Sequence, residues 1–66
     1  MIAAHREAAG HTQTALAALI PITQGALSNI ERGHKTPSAA TLARIVVLLD
    51  LTDQQAAEIL RSYTSQ

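Results

Sequence analysis

Thr12-Gln13-Thr14-Ala15-Leu16-Ala17-Ala18-Leu19-Ile20-Pro21-Ile22-Thr23-Gln24-Gly25-Ala26-Leu27-Ser28-Asn29-Ile30-Glu31-Arg32-Gly33 reads as two short helices meeting at a three-residue corner. Thr12 offers a side-chain oxygen to cap the first of them, and in that helix Leu16, Leu19 and Ile20 fall at i, i+3 and i+4. Pro21 ends it, because proline disfavours the α conformation at the residue before it. Thr23 can cap the next helix, which reaches about Arg32 and stops at Gly33. A corner this tight makes checkable demands. A small residue must sit where the helices cross, and Ala17 serves. Each side of the turn needs an apolar plug, and Ile20 and Ile22 serve. The second helix needs an inward stripe, which Leu27 and Ile30 supply. Its opposite face then carries Gln24 and Ser28, with Gly25, Asn29 and Arg32 one step round. That face is polar, short-chained and nearly free of negative charge, where an ordinary surface helix would carry mixed Glu and Lys.

Working outward, a first helix runs from about Ile2 to Ala9 and stops at Gly10. Ser38, after Pro37, can cap a fourth helix whose buried stripe is Leu42, Ile45, Val46 and Leu49. Thr52 with Gln55 forms a capping-box pattern opening a fifth, where Ala56, Ile59, Leu60 and Tyr63 keep the inward spacing. Thirteen alanines, with no Phe and no Trp, suit helices throughout. No repeat, low-complexity linker or strand pattern interrupts the series. The expected fold is all-α, one compact five-helix domain over residues 1–66.

Sixty-six residues fit one small domain and no more. Without cysteine, disulfide scaffolds, thiolate zinc sites and thiol catalysis are excluded together. No apolar run approaches the roughly 20 residues a bilayer crossing requires. His5, Arg6 and Glu7 stand where a signal peptide would be apolar, so the expected location is inside a cell. The first helix begins so close to Met1 that a natural start is expected, while Gln66 suits a natural end and an internal boundary equally. Lys+Arg and Asp+Glu balance at five each, which at first argues against nucleic acid as a partner. The balance is nevertheless uneven along the chain. Met1–Arg44 carries Arg6, Arg32, Lys35 and Arg44 against Glu7 and Glu31, whereas Ile45–Gln66 carries Arg61 against Asp50, Asp53 and Glu58.

The ordered series Arg6, Gly10, Thr12-Gln13, Leu16-Ala17, Ile22, Thr23-Gln24, Leu27-Ser28, Ile30-Glu31-Arg32-Gly33, Pro37-Ser38 and Thr41-Leu42 resembles the phage Cro and repressor type of helix-turn-helix domain, often called XRE. The resemblance runs from about Ile2 to Leu51 without a gap. It implies a lambda-repressor-like five-helix fold, with the helix-turn-helix over about 13–32 and the recognition helix over about 24–32. It also implies a bacterial or phage-encoded cytoplasmic regulator, typically a repressor, acting as a dimer on a palindromic double-stranded DNA operator.

Carried over by position, the resemblance assigns Thr12 and Gln13 to the DNA-facing start of the second helix. The Gln13 backbone N–H would meet a phosphate and its side chain would brace Gln24. Thr23 would cap the third helix and touch the backbone. Gln24 would be the main reader, since its amide can pair with adenine N6 and N7. Ser28 and Asn29 come next, and Arg32, His34 and Lys35 would hold the sugar–phosphate strand. Arg6 and Glu31 would form a largely buried structural ion pair.

Several positions depart from the family pattern. Gly25 stands where many members carry a second reading side chain. Glycine there either allows the helix backbone close to DNA or a thymine methyl, or forgoes one contact, and the second is the expectation. Pro21 replaces the usual turn glycine and cannot reach positive φ, so the turn must be locally different. His5 and His11 occupy usually apolar positions; half-buried imidazoles packed on their ring faces are expected, with a pH-sensitive pair as the alternative. No third ligand at helical spacing joins them, so no metal site is expected. Tyr63 suits the core and a dimer contact equally. Val47 and Leu48 extend the apolar surface of the fourth helix, which points to a partner surface around the fourth and fifth helices.

Two functions compete: sequence-specific DNA binding as a homodimer, and a protein-interaction module holding a toxin, an anti-repressor or a polymerase subunit. Catalysis has almost no support, since the chain has no cysteine, no paired carboxylates near a histidine and no glycine-rich phosphate loop, and no cofactor is implied.

Overall fold

The computed structural model describes residues 1–64, folded as α1 Ile2–Ala8, α2 Gln13–Leu19, α3 Gln24–Glu31, α4 Ala39–Leu48 and α5 Asp53–Thr64. No strand occurs among the described residues. The last two residues of the expected domain lie outside them.

Each of the four hydroxyl residues expected to open a helix does so. Thr12, Thr23 and Ser38 accept hydrogen bonds from the backbone N–H groups of Ala15, Ala26 and Thr41, at 3.1, 3.0 and 3.1 Å. Thr52 and Gln55 close a reciprocal box. The Gln55 N–H donates to Thr52 Oγ1 at 3.1 Å, and the Thr52 N–H donates to Gln55 Oε1 at 2.9 Å. These bonds satisfy amide groups that the first turn of a helix leaves without partners.

Three helices also end alike. After α1, the N–H groups of Gly10 and His11 donate to the carbonyls of Glu7 and Arg6. After α3, those of Gly33 and His34 donate to Ile30 and Asn29; after α4, those of Asp50 and Leu51 donate to Val47 and Val46. This is the Schellman arrangement, which needs a left-handed residue just past the helix. Gly10 and Gly33 supply it at φ 81° and 79°, and Asp50 supplies it at φ 53°. Aspartate in that role was not anticipated from the sequence.

The buried core is Ile2, Leu16, Ala17, Ile20, Leu27, Ile30, Ile45, Leu49 and Ile59, drawn from all five helices and their caps. Ile22, Leu42, Leu48, Leu51 and Tyr63 pack around it. Truncating a fully enclosed member such as Leu16 or Leu27 to alanine would cost about 2–5 kcal/mol, a large fraction of what so small a core supplies. Two assignments from the spacing need correction. Leu19 and Leu60 were placed on inward stripes, but they are 52% and 48% exposed. A seven-residue α2 turns one narrow face inward, and Leu16, Ala17 and Ile20 already fill it. On α5 that face belongs to Ile59 and Tyr63.

Tyr63 is partly buried against the core. Its ring packs on the core and its Oη donates to the Ile30 carbonyl at 2.5 Å. Burial, and after it the nearby Glu31 charge, pushes the phenol above its usual pKa.

At the corner, the Ile22 N–H donates to the Ala17 carbonyl at 2.8 Å. The Ile20–Pro21 peptide is cis. No residue from Ile20 to Thr23 has positive φ, so the turn does differ from one made with a left-handed glycine. Among the described residues no helix is long and apolar enough to cross a membrane.

Candidate nucleic-acid interface

Helix α3 buries Leu27 and Ile30 and turns the rest of its surface outward. Gln24, Gly25, Asn29 and Arg32 are exposed and Ser28 is half-buried. Arg32 caps the helix rather than belonging to it, one residue short of the expected end. The Schellman turn at Gly33 then leads His34, Lys35 and Thr36 out along the surface, all exposed. Thr12 and Thr23 are exposed beside the starts of α2 and α3, and Gln13, the first residue of α2, is half-buried. Thr12 and Gln13 thus stand at the start of α2, while Thr23, Gln24, Gly25, Ser28, Asn29, Arg32, His34 and Lys35 fall on the α3 cap, on α3 and on the turn that follows.

A chain of polar contacts runs beneath this surface. Arg6 grips Glu31 with two donors, Nε to Oε2 at 2.7 Å and Nη2 to Oε1 at 3.3 Å, and its Nη1 donates to the His11 carbonyl at 3.0 Å. The two side chains are 13% and 6% exposed. Buried charge requires such pairing, and the expected structural ion pair is present. The hydrogen bond to Glu31 holds the guanidinium further above its usual pKa, against the opposing cost of burial. Gln13 then donates Nε2 to Glu31 Oε1 at 2.9 Å, and Gln24 donates Nε2 to Gln13 Oε1 at 3.3 Å. The brace on Gln24 was expected. The link from Gln13 to Glu31 was not, because a spacing of 18 residues carries no helical signal.

Electrostatically the surface is simple. Between Glu7 and Asp50 the sequence has one carboxylate, Glu31, and Arg6 neutralises it. Arg32 and Lys35 therefore face solvent with no acid in the surrounding sequence to offset them. At Gly25 an added Cβ would meet nothing within 4 Å, so the protein itself does not require glycine there.

A family model described as a helix-turn-helix domain matches residues 2–59. The chain belongs to the helix-turn-helix domain family. No curated protein and no solved structure matches it. The match spans α1 to the middle of α5 and carries the DNA-binding character of the class.

The remaining candidates fall elsewhere. His5 and His11 are half-buried near the end of α1, and no group of three or more potential metal ligands occurs among the described residues. Val47 is 78% exposed. It lines an apolar groove with Leu19, Ala40, Ala43, Arg44 and Leu48, which lies between α4 and α2 rather than α5.

Proposed function

We propose that this domain reads double-stranded DNA by laying α3 in the major groove, as a transcriptional regulator of the Cro and repressor type. The observation that carries the reading is the acid-free polar face of α3, Gln24, Ser28 and Asn29, held at its start by the Thr23 cap and the Gln13 brace. Short polar side chains on a helix that must enter a groove suit the donors and acceptors on base edges. Gln24 is the principal reader, with Ser28 and Asn29 beside it. Thr12, Gln13, Thr23, Arg32, His34 and Lys35 position the domain on phosphates.

The reading includes a homodimer acting as a repressor on a palindromic operator. The Cα envelope of one copy measures 29 × 23 × 19 Å, less than the roughly 34 Å between successive half-sites, so one copy serves one half-site. In this reading the dimer surface lies around α4, where exposed Val47 shares an apolar groove with Leu19 of α2, and extends to exposed Leu60 of α5. The same apolar exposure supports the second reading, a domain that holds a partner protein.

A salt titration separates the two. Affinity for duplex DNA that falls steeply with salt marks phosphate neutralisation. Absence of binding at low salt to random and operator-like duplexes would reject DNA reading. With a selected operator, Gln24→Ala should cost about 1–3 kcal/mol at one base pair, whereas Lys35→Ala should weaken all sequences alike and lower the salt slope by about one.

A further inference from the structure

We propose that Glu31, a residue that faces the core, determines which purine Gln24 reads, by fixing the direction of the hydrogen-bond chain that joins them. The inference rests on the DNA reading above and adds a specificity-determining residue that touches no base.

Ionised Glu31 has only acceptors, and Arg6 occupies both oxygens with Nε and Nη2. Gln13 can meet Oε1 only with its NH2 group, as it does at 2.9 Å. A primary amide carries its carbonyl oxygen on the other arm, so Gln13 must turn Oε1 toward Gln24. That oxygen in turn accepts only from a donor, and Gln24 answers with Nε2 at 3.3 Å. Each amide orientation therefore follows from the one before, back to the charge on Glu31.

The consequence lies at the outer end. Gln24 has given one of its two Nε2 hydrogens to Gln13. One N–H and the carbonyl oxygen remain for a base, and that donor–acceptor pair matches adenine, which offers N7 as acceptor and N6–H as donor. Guanine presents two acceptors, O6 and N7, and needs two donors where only one is left. Were the chain reversed, both Nε2 hydrogens of Gln24 would be free and guanine would be accommodated. Glu31 thus works as a positioning residue through Gln13.

The test measures binding to duplexes differing at a single variable base pair, for the wild-type chain, Gln13→Ala, Glu31→Gln and the double variant. Glutamine at position 31 can donate or accept, so the chain direction is released. Each single variant should lower the adenine-over-guanine preference by about tenfold, the equivalent of about 1.4 kcal/mol, and the double variant should lower it no further. Gln13→Ala leaves the Arg6–Glu31 pair intact and guards against loss of folding in Glu31→Gln. In the free wild-type domain, the Gln13 side-chain amide protons should exchange slowly with solvent by NMR, and Glu31→Gln should abolish that protection. Unprotected Gln13 protons in the wild type would overturn the relay without reference to DNA. A purine preference that survives Glu31→Gln, or single-variant effects that multiply in the double variant, would overturn the inference alone. Protected protons with no base preference at any position would overturn the DNA reading, and the inference with it.

Discussion

The phenol of Tyr63, in the last turn of α5, hydrogen-bonds the carbonyl of Ile30, in the last turn of α3. The same carbonyl accepts from the Gly33 N–H at 3.1 Å, so it keeps a partner if the phenol is removed. Tyr63→Phe should therefore cost only about 1 kcal/mol. The pH dependence is more diagnostic. Tyr63 has a raised pKa in the folded chain, so the unfolded chain loses that proton first. Its contribution is complete below the unfolded value of about 10 and is lost as pH rises from there through the folded value. Urea unfolding across the alkaline range should show this decline in the wild type and a flatter profile in Tyr63→Phe.

Arg6 and Glu31 should behave as a unit. Removing one partner strands a charge at a site that is nearly closed to water, with an expected loss of about 3 kcal/mol, while replacing both with apolar residues should cost clearly less. A cycle of Arg6→Met, Glu31→Leu and the double variant, followed by chemical denaturation, measures the coupling. Additive effects would show that the pair contributes nothing as a pair.

Gly25→Ala separates structure from recognition. The space around Gly25 is open, and alanine is the better helix former, so stability should rise by about 0.5 kcal/mol. Unchanged DNA affinity would mean that glycine merely forgoes a contact. A loss of affinity in this more stable variant would mean that the helix backbone approaches DNA at Gly25.

Asp50 ends α4 in a left-handed conformation that glycine adopts without cost, and it adds a negative charge beside a helix C-terminus. Asp50→Gly should stabilise the domain by about 0.5–1 kcal/mol, visible as a rise of about 4 °C in Tm. Gly33→Ala, which forces alanine into the same geometry, should lower Tm.

Local punctuation was the most legible part of the sequence. Thr12, Thr23, Ser38 and Thr52 open helices as their chemistry demands, because a cap involves residues only three apart. Gly10 and Gly33 were readable as stops for the same reason. Asp50 was not, since its conformation is imposed by the α4–α5 turn and no local preference requires it. Leu19 and Leu60 show the limit of periodicity: spacing reports which residues share a face, but the width of the buried face depends on what packs against it. Most of the residues proposed to face DNA came from family position. The Gln13–Glu31 bond required α2 and α3 to be packed together, and no short-range pattern announces it.

Arg6 reaches the last turn of α3 from the first helix, and Tyr63 reaches it from the fifth. The two outer helices thus hold one anchorage, Ile30–Glu31, about two turns from Gln24, the residue proposed to read bases. Mechanically, α3 is a lever gripped at its carboxyl end from both extremities of the fold. A load that lifts either α1 or α5 from the core would loosen that grip and tilt the amino-terminal end of α3, so events at the periphery have a short physical route to the surface proposed to meet DNA.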